Sequence, residues 1–245
     1  MMAVRNTSWI DHHRYQNYLN GLDTKAQTIV KTIVDHTRFI TSLELVEMIK
    51  RSLARFHQLF ERYYVFVPVG KIGSEHWLLT QIAPLMKGHL VSMIEGDNDD
   101  RWLDPTIPIV VIDDAIYSSV NMCCHIDNYR YQRLSPGVTN PWYCLVGVTS
   151  STTNLQVVHE FGATVMADLD LESLQSGTLF GDDEYMYDIF GCETDNVLPV
   201  LFEHKIANNF GSYQFYHKIV ATPPNRSAID RITLDQVRST LNGCL

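Results

Sequence analysis

The sequence contains no apolar run long enough to cross a membrane and only five cysteines. No window approaches the roughly 18 consecutive apolar residues of a membrane-spanning helix. Residues 1–15 lack the apolar core of a secretory signal, so a cytoplasmic location is expected. The cysteines are odd in number, and none forms a Cys-x-x-Cys pair. This pattern argues against a disulfide framework and a zinc knuckle, and it predicts reduced, mostly buried thiols.

Positive charge and nucleotide-binding motifs are scarce as well. The 19 Lys and Arg residues are outnumbered by 28 Asp and Glu residues, which gives a net charge of −9. Bulk electrostatics therefore does not favour nucleic acid or an anionic membrane as a partner. The absence of Gly-x-Gly-x-x-Gly and Walker lysine motifs argues against the usual dinucleotide and P-loop sites. The chain also lacks the Gly-x-Ser-x-Gly elbow that would make Ser118 a hydrolase nucleophile.

Short apolar runs alternate with helical patterns across residues 63–168. The runs predict buried strands, and the segments between them predict helices, one over 75–86 that Pro84 can end early and one over 152–161 closed by Gly162. The predicted strands are 63–69, 89–94, 107–112, 142–148 and 163–168. This alternation predicts an α/β fold, with a parallel sheet, helices on both faces and right-handed crossovers.

The sequences on either side of this core have other patterns. Residues 1–62 predict helices, including one over 26–39 and one beginning after Thr41–Ser42, whose apolar stripe faces the core: Leu45, Ile49, Leu53, Phe56 and Phe60. Residues 169–245 are irregular and then helical, and they predict a small hood or cap. We expect the segments 1–62, 63–168 and 169–245 to pack into one compact domain.

An acidic pair follows the most apolar of the predicted strands, in IPIVVIDDAIYSSVN at 107–121. In open α/β sheets, ligands bind just beyond the carboxyl ends of the strands. Asp113 and Asp114 in that place could accept hydrogen bonds from vicinal sugar hydroxyls or bind a divalent cation. The other interpretation is an ordinary strand-end turn, because aspartate starts turns and caps helices.

A second polar turn follows the first predicted strand of the core. Residues 70–74 join that strand to a helix, and backbone N–H groups at a helix N-terminus bind anions. The loop over 96–105 is polar and has no periodicity. The histidines, His76 among them, show no metal-ligand spacing and are interpreted as exposed or core residues. Cys123 and Cys124 are interpreted as buried rather than activated thiols.

This ordered set of elements resembles the type I phosphoribosyltransferase family. The family's motif is an apolar strand, two acids, two variable residues and a hydroxyl-rich loop, and residues 109–121 have that order. FVPVGKIGS at 66–74 lies where the family has its pyrophosphate loop, and 96–105 where it has its mobile catalytic loop. Residues 200–205 lie where the hood contacts the base. The resemblance covers 63–205 and implies a phosphoribosyltransferase-like fold.

The resemblance also implies roles for individual residues. Asp113 and Asp114 would hold the ribose 2′- and 3′-hydroxyls, directly or through Mg²⁺, and Lys205 would reach a base carbonyl. Gly70 and Lys71 would contact pyrophosphate. The loop after the acids would surround the 5′-phosphate with backbone N–H groups and polar side chains, the residues concerned being Tyr117, Ser118, Ser119 and Asn121.

The implied reaction is a Mg²⁺-assisted transfer of a phosphoribosyl group to or from a nitrogenous base, with purines favoured. The implied ligands are phosphoribosyl pyrophosphate or a nucleoside monophosphate, and a homo-oligomer is an open expectation. Ser119 and Val120 stand where the family has glycine, and Tyr117 replaces a small hydroxyl residue. A β-branched valine disfavours positive φ. A second interpretation therefore stays open: a catalytically degenerate member that binds nucleotides or a protein partner.

Overall fold

The computed structural model describes residues 9–69, 72–95, 103–116, 123, 126, 140–149, 158–171, 189, 199–204, 210–220, 229 and 231–245. The chain forms two compact units, each built from separated stretches. One comprises Met1–Ser42 with Leu171–Arg226, and the other Leu43–Asp170 with Ser227–Leu245. The sequence-based division into 1–62, 63–168 and 169–245 follows chain order instead, and it stays a prediction.

The described helices and strands agree in most places with the sequence pattern. No helix in the described part of the chain is long and apolar enough to span a bilayer. In chain order the elements are α1 (His12–Asn20), α2 (Thr24–His36), β1 (Arg38–Ile40), α3 (Ser42–His57), β2 (Tyr63–Val67), α4 (Ser74–Ile82), a 3₁₀ turn (Ala83–Met86), β3 (Leu90–Glu95), β4 (Ile109–Ile116), β5 (Trp142–Thr149), β6 (Ala163–Asp170), β7 (Val200–Phe202), α5 (Phe210–Ile219) and α6 (Leu234–Asn242).

The larger unit is built on a five-stranded sheet in the order β3-β2-β4-β5-β6, in which every pairing is parallel. The five strands are the five that the apolar runs predict. Their central members are buried on both faces, as expected for a parallel sheet flanked by helices. The α/β parallel-sheet fold is therefore confirmed. Gly162 has φ +73° just after the helical residues 158–160, which confirms the predicted helix end.

Helix α3 covers one face of this sheet and runs against the strand direction. Near its start, Leu45 packs so closely over Gly147 of β5 that a Cβ there would lie 2.5 Å from the leucine Cδ1. Further along, the Ser52 hydroxyl donates to the Val146 carbonyl at 3.3 Å. At its end, Phe56 contacts the ring of Tyr143, with ring centroids 5.2 Å apart. The helix therefore begins at the carboxyl edge of the sheet, where the strands end.

The opposite face of the sheet carries a separate apolar cluster. Strand alternation places Ile109 and Val111 of β4 on this face, and the buried residues Cys123, Ile126 and Val158 cover it. The buried position of Cys123 confirms that interpretation, while Cys124 lies outside the described residues. Burial raises the pKa of the Cys144 thiol on the same face far above its ordinary value, with smaller contributions from Cys123 and Asp113.

The smaller unit combines α1, α2 and α5 with a two-stranded parallel sheet of β1 and β7. Its core is a continuous apolar cluster that includes Ile33, Phe215 and Tyr216. The helix predicted over 26–39 ends early, at His36, and its last predicted residues form β1. The reason is non-local: Ile40 pairs with Phe202, and the Arg38 N–H donates to the Pro199 carbonyl at 2.8 Å.

Candidate functional site

The candidate site lies where β2 and β4 separate at the carboxyl edge of the large sheet. These neighbours pair only at Tyr64↔Ile109 and Val65↔Val110, although both strands continue. From β2 the chain crosses to β3 on one side, whereas the strands after β4 continue on the other side. Such a reversal of strand order opens a crevice, and ligands of open α/β sheets bind there.

Asp113 lies in this crevice, and its carboxylate is already oriented. The Ser74 hydroxyl, at the start of α4, donates to Asp113 Oδ1 at 3.1 Å, and the Asp114 N–H donates to the same oxygen at 2.8 Å. The Asp113 side chain is partly buried. The hydrogen bond from Ser74 thus connects the acid on β4 with the turn that follows β2, two elements that are 39 residues apart in sequence.

Asp114 has a different environment from its neighbour. It is fully buried at 0% exposure, and its Oδ1 accepts a hydrogen bond from the Ala115 N–H at 2.8 Å. Consecutive residues of a strand direct their side chains to opposite faces. The two carboxylates therefore lie on opposite faces of the sheet, and Asp113 is the more accessible of the two.

The strand carrying the acids is longer than the pattern predicts. The apolar run ends at Ile112, but β4 continues to Ile116, so the acids are strand residues rather than the first residues of a turn. Pairing explains the difference, because Asp113 remains opposite Val146 and Ile116 opposite Thr149 in β5. Ala115 and Ile116 are buried, which favours continuation of the strand.

The turn between β2 and α4 is held by a buried histidine. His76 is the third residue of α4 and is 0% exposed. One ring nitrogen, Nε2, lies 2.8 Å from the Pro68 carbonyl, and the other, Nδ1, lies 3.1 Å from the Gly73 N–H. Glu75 Oε1 lies 3.0 Å from Nδ1. The ring therefore connects the two ends of the turn.

The sequence did not identify Ser74 or His76 as site residues. In the sequence pattern Ser74 is only the last residue of the polar turn, and the local sequence does not indicate that its hydroxyl contacts β4. For His76 a weak signal existed. A polar side chain at the third helical position can bond back to the N-terminal cap, and here a histidine stands where Glu or Gln is usual.

The other residues that the resemblance implicates lie outside the described part of the structure. They are Gly70, Lys71, Tyr117, Ser118, Ser119, Asn121 and Lys205. Their roles stay predictions. Strand β2 precedes residue 70 and strand β4 precedes residue 117. Both strands end at the carboxyl edge of the parallel sheet.

A hard cation fits the chemistry of Asp113. Carboxylate oxygens are the ligands that Mg²⁺ prefers, and Mg²⁺ commonly takes only one or two of them together with phosphate oxygens of a bound ligand. Among the residues that the structure describes, no group of three or more His, Cys, Asp or Glu side chains forms a metal site. A Mg²⁺ ion at Asp113 would therefore depend on the ligand for part of its coordination.

Comparison with known proteins gives distant likenesses. No protein-family model matches the chain, and no curated protein sequence does. The chain is similar to a hypothetical protein from Neisseria gonorrhoeae with bound ppGpp, at 12% identity and a TM-score of 0.39, over 56% of this chain and 85% of that one.

Two further solved structures show likenesses at the same level. One is an orotate phosphoribosyltransferase from Mycobacterium tuberculosis H37Rv in complex with inorganic phosphate, at 8% identity and a TM-score of 0.37, over 64% of this chain and 93% of that one. The other is a hypothetical protein at 10% identity and a TM-score of 0.34, over 94% of this chain and 96% of that one. Likenesses of this size assign no family.

Proposed function

We propose that the chain is a phosphoribosyltransferase-like protein that binds a phosphoribosyl pyrophosphate-type ligand together with Mg²⁺. It would transfer the phosphoribosyl group to or from a nitrogenous base, with purines favoured. The observation that carries the proposal is the hydrogen bond from Ser74 to Asp113 at 3.1 Å. It joins a strand–turn–helix element suited to an anion with an acid suited to sugar hydroxyls, at the crevice where such sheets bind ligands.

In this proposal Asp113 is the principal acceptor for the ribose hydroxyls and the principal Mg²⁺ ligand. Its Oδ1 is oriented by two donors, the Ser74 hydroxyl and the Asp114 N–H, and carboxylate oxygens accept hydrogen bonds from sugar hydroxyls and bind hard cations. Asp114 supports the strand end from the other face. The remaining implied residues keep their proposed roles: Gly70 and Lys71 at pyrophosphate, Lys205 at the base, and Tyr117, Ser118, Ser119 and Asn121 at the 5′-phosphate.

In such a reaction the protein mainly positions the reactants and stabilises the charge that develops. As the bond to the leaving group breaks, positive charge develops on the ribose ring, and a carboxylate oriented before the reaction stabilises that charge without reorganising. Bound Mg²⁺ would neutralise the charge of the leaving diphosphate. Asp113 is oriented by Ser74 and by the backbone before any ligand arrives, which suits this role.

A second function is favoured by the burial of Asp114. Its carboxylate is 0% exposed and accepts a hydrogen bond from the next residue's N–H, so it is committed to the strand end. A protein with only one accessible acid could bind a nucleotide without catalysing transfer. This degenerate form of the same fold would act as a nucleotide-binding or protein-interaction module.

Pyrophosphate release separates the two functions. The protein is incubated with phosphoribosyl pyrophosphate, Mg²⁺ and each of a panel of purine and pyrimidine bases. Release that depends on one base supports transfer, and loss of that release in Asp113→Asn assigns it to this site. The matched control is Asp170→Asn, because Asp170 is an exposed aspartate at the end of the edge strand β6. Binding without release with any base would favour the module.

A further inference from the structure

His76 is an unusual residue to find in a turn proposed to bind an anion. It is 0% exposed, and both of its ring nitrogens have partners within the turn. The Pro68 carbonyl can only accept a hydrogen bond, so Nε2 at 2.8 Å must carry a proton. The protonation state of the ring is therefore decided at Nδ1 alone.

Two groups compete for Nδ1. The Gly73 N–H is a donor at 3.1 Å and needs an unprotonated nitrogen, whereas the Glu75 carboxylate is an acceptor at 3.0 Å and needs a protonated one. A neutral ring accepts from the Gly73 N–H at Nδ1 and offers the Glu75 carboxylate no donor. A charged ring satisfies Glu75 and releases the Gly73 N–H.

The Glu75 carboxylate is folded back over the turn rather than extended into water. Its side chain is only 18% exposed, and a Cβ added at Gly73 would lie 2.6 Å from Glu75 Oε1. Burial alone lowers the pKa of the His76 ring. The hydrogen bond and charge of Glu75, with a contribution from the Pro68 carbonyl, outweigh it and raise the pKa above its ordinary value.

Other ionisable groups surround this helix. The described elements that pack most extensively against α4 are β4, α6 and the 3₁₀ turn. On β4 these groups are Asp113 and Asp114, and on α6 they are Asp235 and Arg238. Arg238 is paired with Asp235 at 3.0 Å and with Glu95 of β3 at 2.6 Å. The 3₁₀ turn, with the sequence APLM, contributes none.

We propose that His76 is a proton-coupled positioning residue for the anion at the β2–α4 turn, an inference that rests on the proposed function. When an anion binds, the Gly73 N–H turns from Nδ1 to the anion, and a proton from solvent takes its place on the ring. The new Nδ1–H donates to Glu75. The added positive charge in the turn also favours the anion, so protonation and anion binding assist each other.

The linkage can be measured by calorimetry with inorganic pyrophosphate. Titrations in two buffers of different ionisation enthalpy, near neutral pH, give the protons taken up per anion bound. We expect the wild type to take up a fraction of one proton more than His76→Gln. As the pH rises and the ring deprotonates, the affinity of the wild type should fall more steeply than that of the variant. The difference should reach up to about tenfold per pH unit. Both proteins bind the same anion, so the protons that the anion itself gains or loses on binding cancel in the difference between them.

Glutamine is the sharpest substitution here, because its amide keeps one donor and one acceptor but never becomes charged. The matched control is His159→Gln, which removes an exposed histidine from the helix before β6 and should keep the wild-type linkage. A second variant, Glu75→Gln, keeps the ring but replaces the carboxylate with an uncharged amide, which stabilises the charged ring less. Its proton uptake should fall as well, which preserves a test if His76→Gln does not fold.

Nuclear magnetic resonance of the free protein supplies an independent readout. The Gly73 amide proton should shift along the titration of the His76 ring, and in Glu75→Gln that shift should move to lower pH. Equal proton uptake in wild type and His76→Gln, with pyrophosphate bound by both, would overturn this inference and leave the proposed function standing. A wild type that binds neither pyrophosphate nor phosphoribosyl pyrophosphate would contradict both.

Discussion

Acid should weaken the fold through a pair of stacked histidines at the amino edge of the large sheet. The rings of His57, at the end of α3, and His89, just before β3, lie 3.9 Å apart at an angle of 9°. His57 Nε2 is 3.1 Å from the Tyr63 hydroxyl, and His89 Nδ1 donates to the Glu61 carbonyl at 2.9 Å. Burial and the neighbouring His89 lower the pKa of His57 to about 4.

The size and sign of the effect follow from that shift. A fall from the ordinary value of 6.5 to about 4 corresponds to about 3 kcal/mol. His57 is only partly buried, so solvent screening reduces this to about 1–2 kcal/mol. Because the folded pKa is the lower one, the stabilisation is fully present above the unfolded value of 6.5 and is lost as the pH falls towards 4.

Urea unfolding measures this directly. We compare wild type with His57→Gln at about pH 7.5 and about pH 4.5, so that the titration of other groups cancels in the difference. The glutamine variant should lose about 1–2 kcal/mol less stability on acidification than the wild type. His159→Gln, which removes an exposed histidine, should lose as much as the wild type. Equal losses in all three proteins would refute the reasoning.

Three further substitutions test the packing and the site. Gly147→Ala places a Cβ 2.5 Å from Leu45 Cδ1 and should lower the free energy of unfolding by about 1–3 kcal/mol. In a double-mutant cycle measured by urea unfolding, Leu45→Ala in the same chain should partly relieve that loss. Gly88→Ala meets open space but has φ +84°, so it should cost about 1 kcal/mol; a larger loss than for Gly147→Ala would contradict the packing argument. Ser74→Ala removes one of the donors to Asp113 Oδ1. It should weaken the binding of phosphoribosyl pyrophosphate, measured by calorimetry, about tenfold, while the free energy of unfolding changes by no more than about 1.5 kcal/mol. Unchanged binding would show that Ser74 is not part of the site.

Features that depend on neighbouring residues were predictable from the sequence. The five apolar runs became the five strands of the sheet, because a strand buried on both faces needs continuous apolar residues. The stripe that begins at Leu45 became the buried face of α3, although Phe60 lies beyond the helix end at His57. Thr233 and Gln236, three residues apart, form a capping box at the start of α6, a signal that is local in sequence.

Features that depend on distant partners were not predictable. Strand β1 exists because residues 38–40 pair with 200–202, and nothing within 38–40 indicates that partner. The acids lie inside β4 because β5 continues beside them. The bond between Ser74 and Asp113, and the contacts of His76 with both ends of its turn, depend on how the crossover places α4. The candidate site was therefore predictable as a location but not as a set of contacts.

The measurement that tests the central claim most directly is calorimetric titration of phosphoribosyl pyrophosphate with Mg²⁺ into wild type, Asp113→Asn and Asp170→Asn. The account predicts saturable binding to the wild type, an affinity at least about tenfold lower in Asp113→Asn because charge-assisted hydrogen bonds are lost, and wild-type affinity in Asp170→Asn. Omitting Mg²⁺ should weaken binding to the wild type. Absence of binding to the wild type, or equal binding to all three proteins, would contradict it.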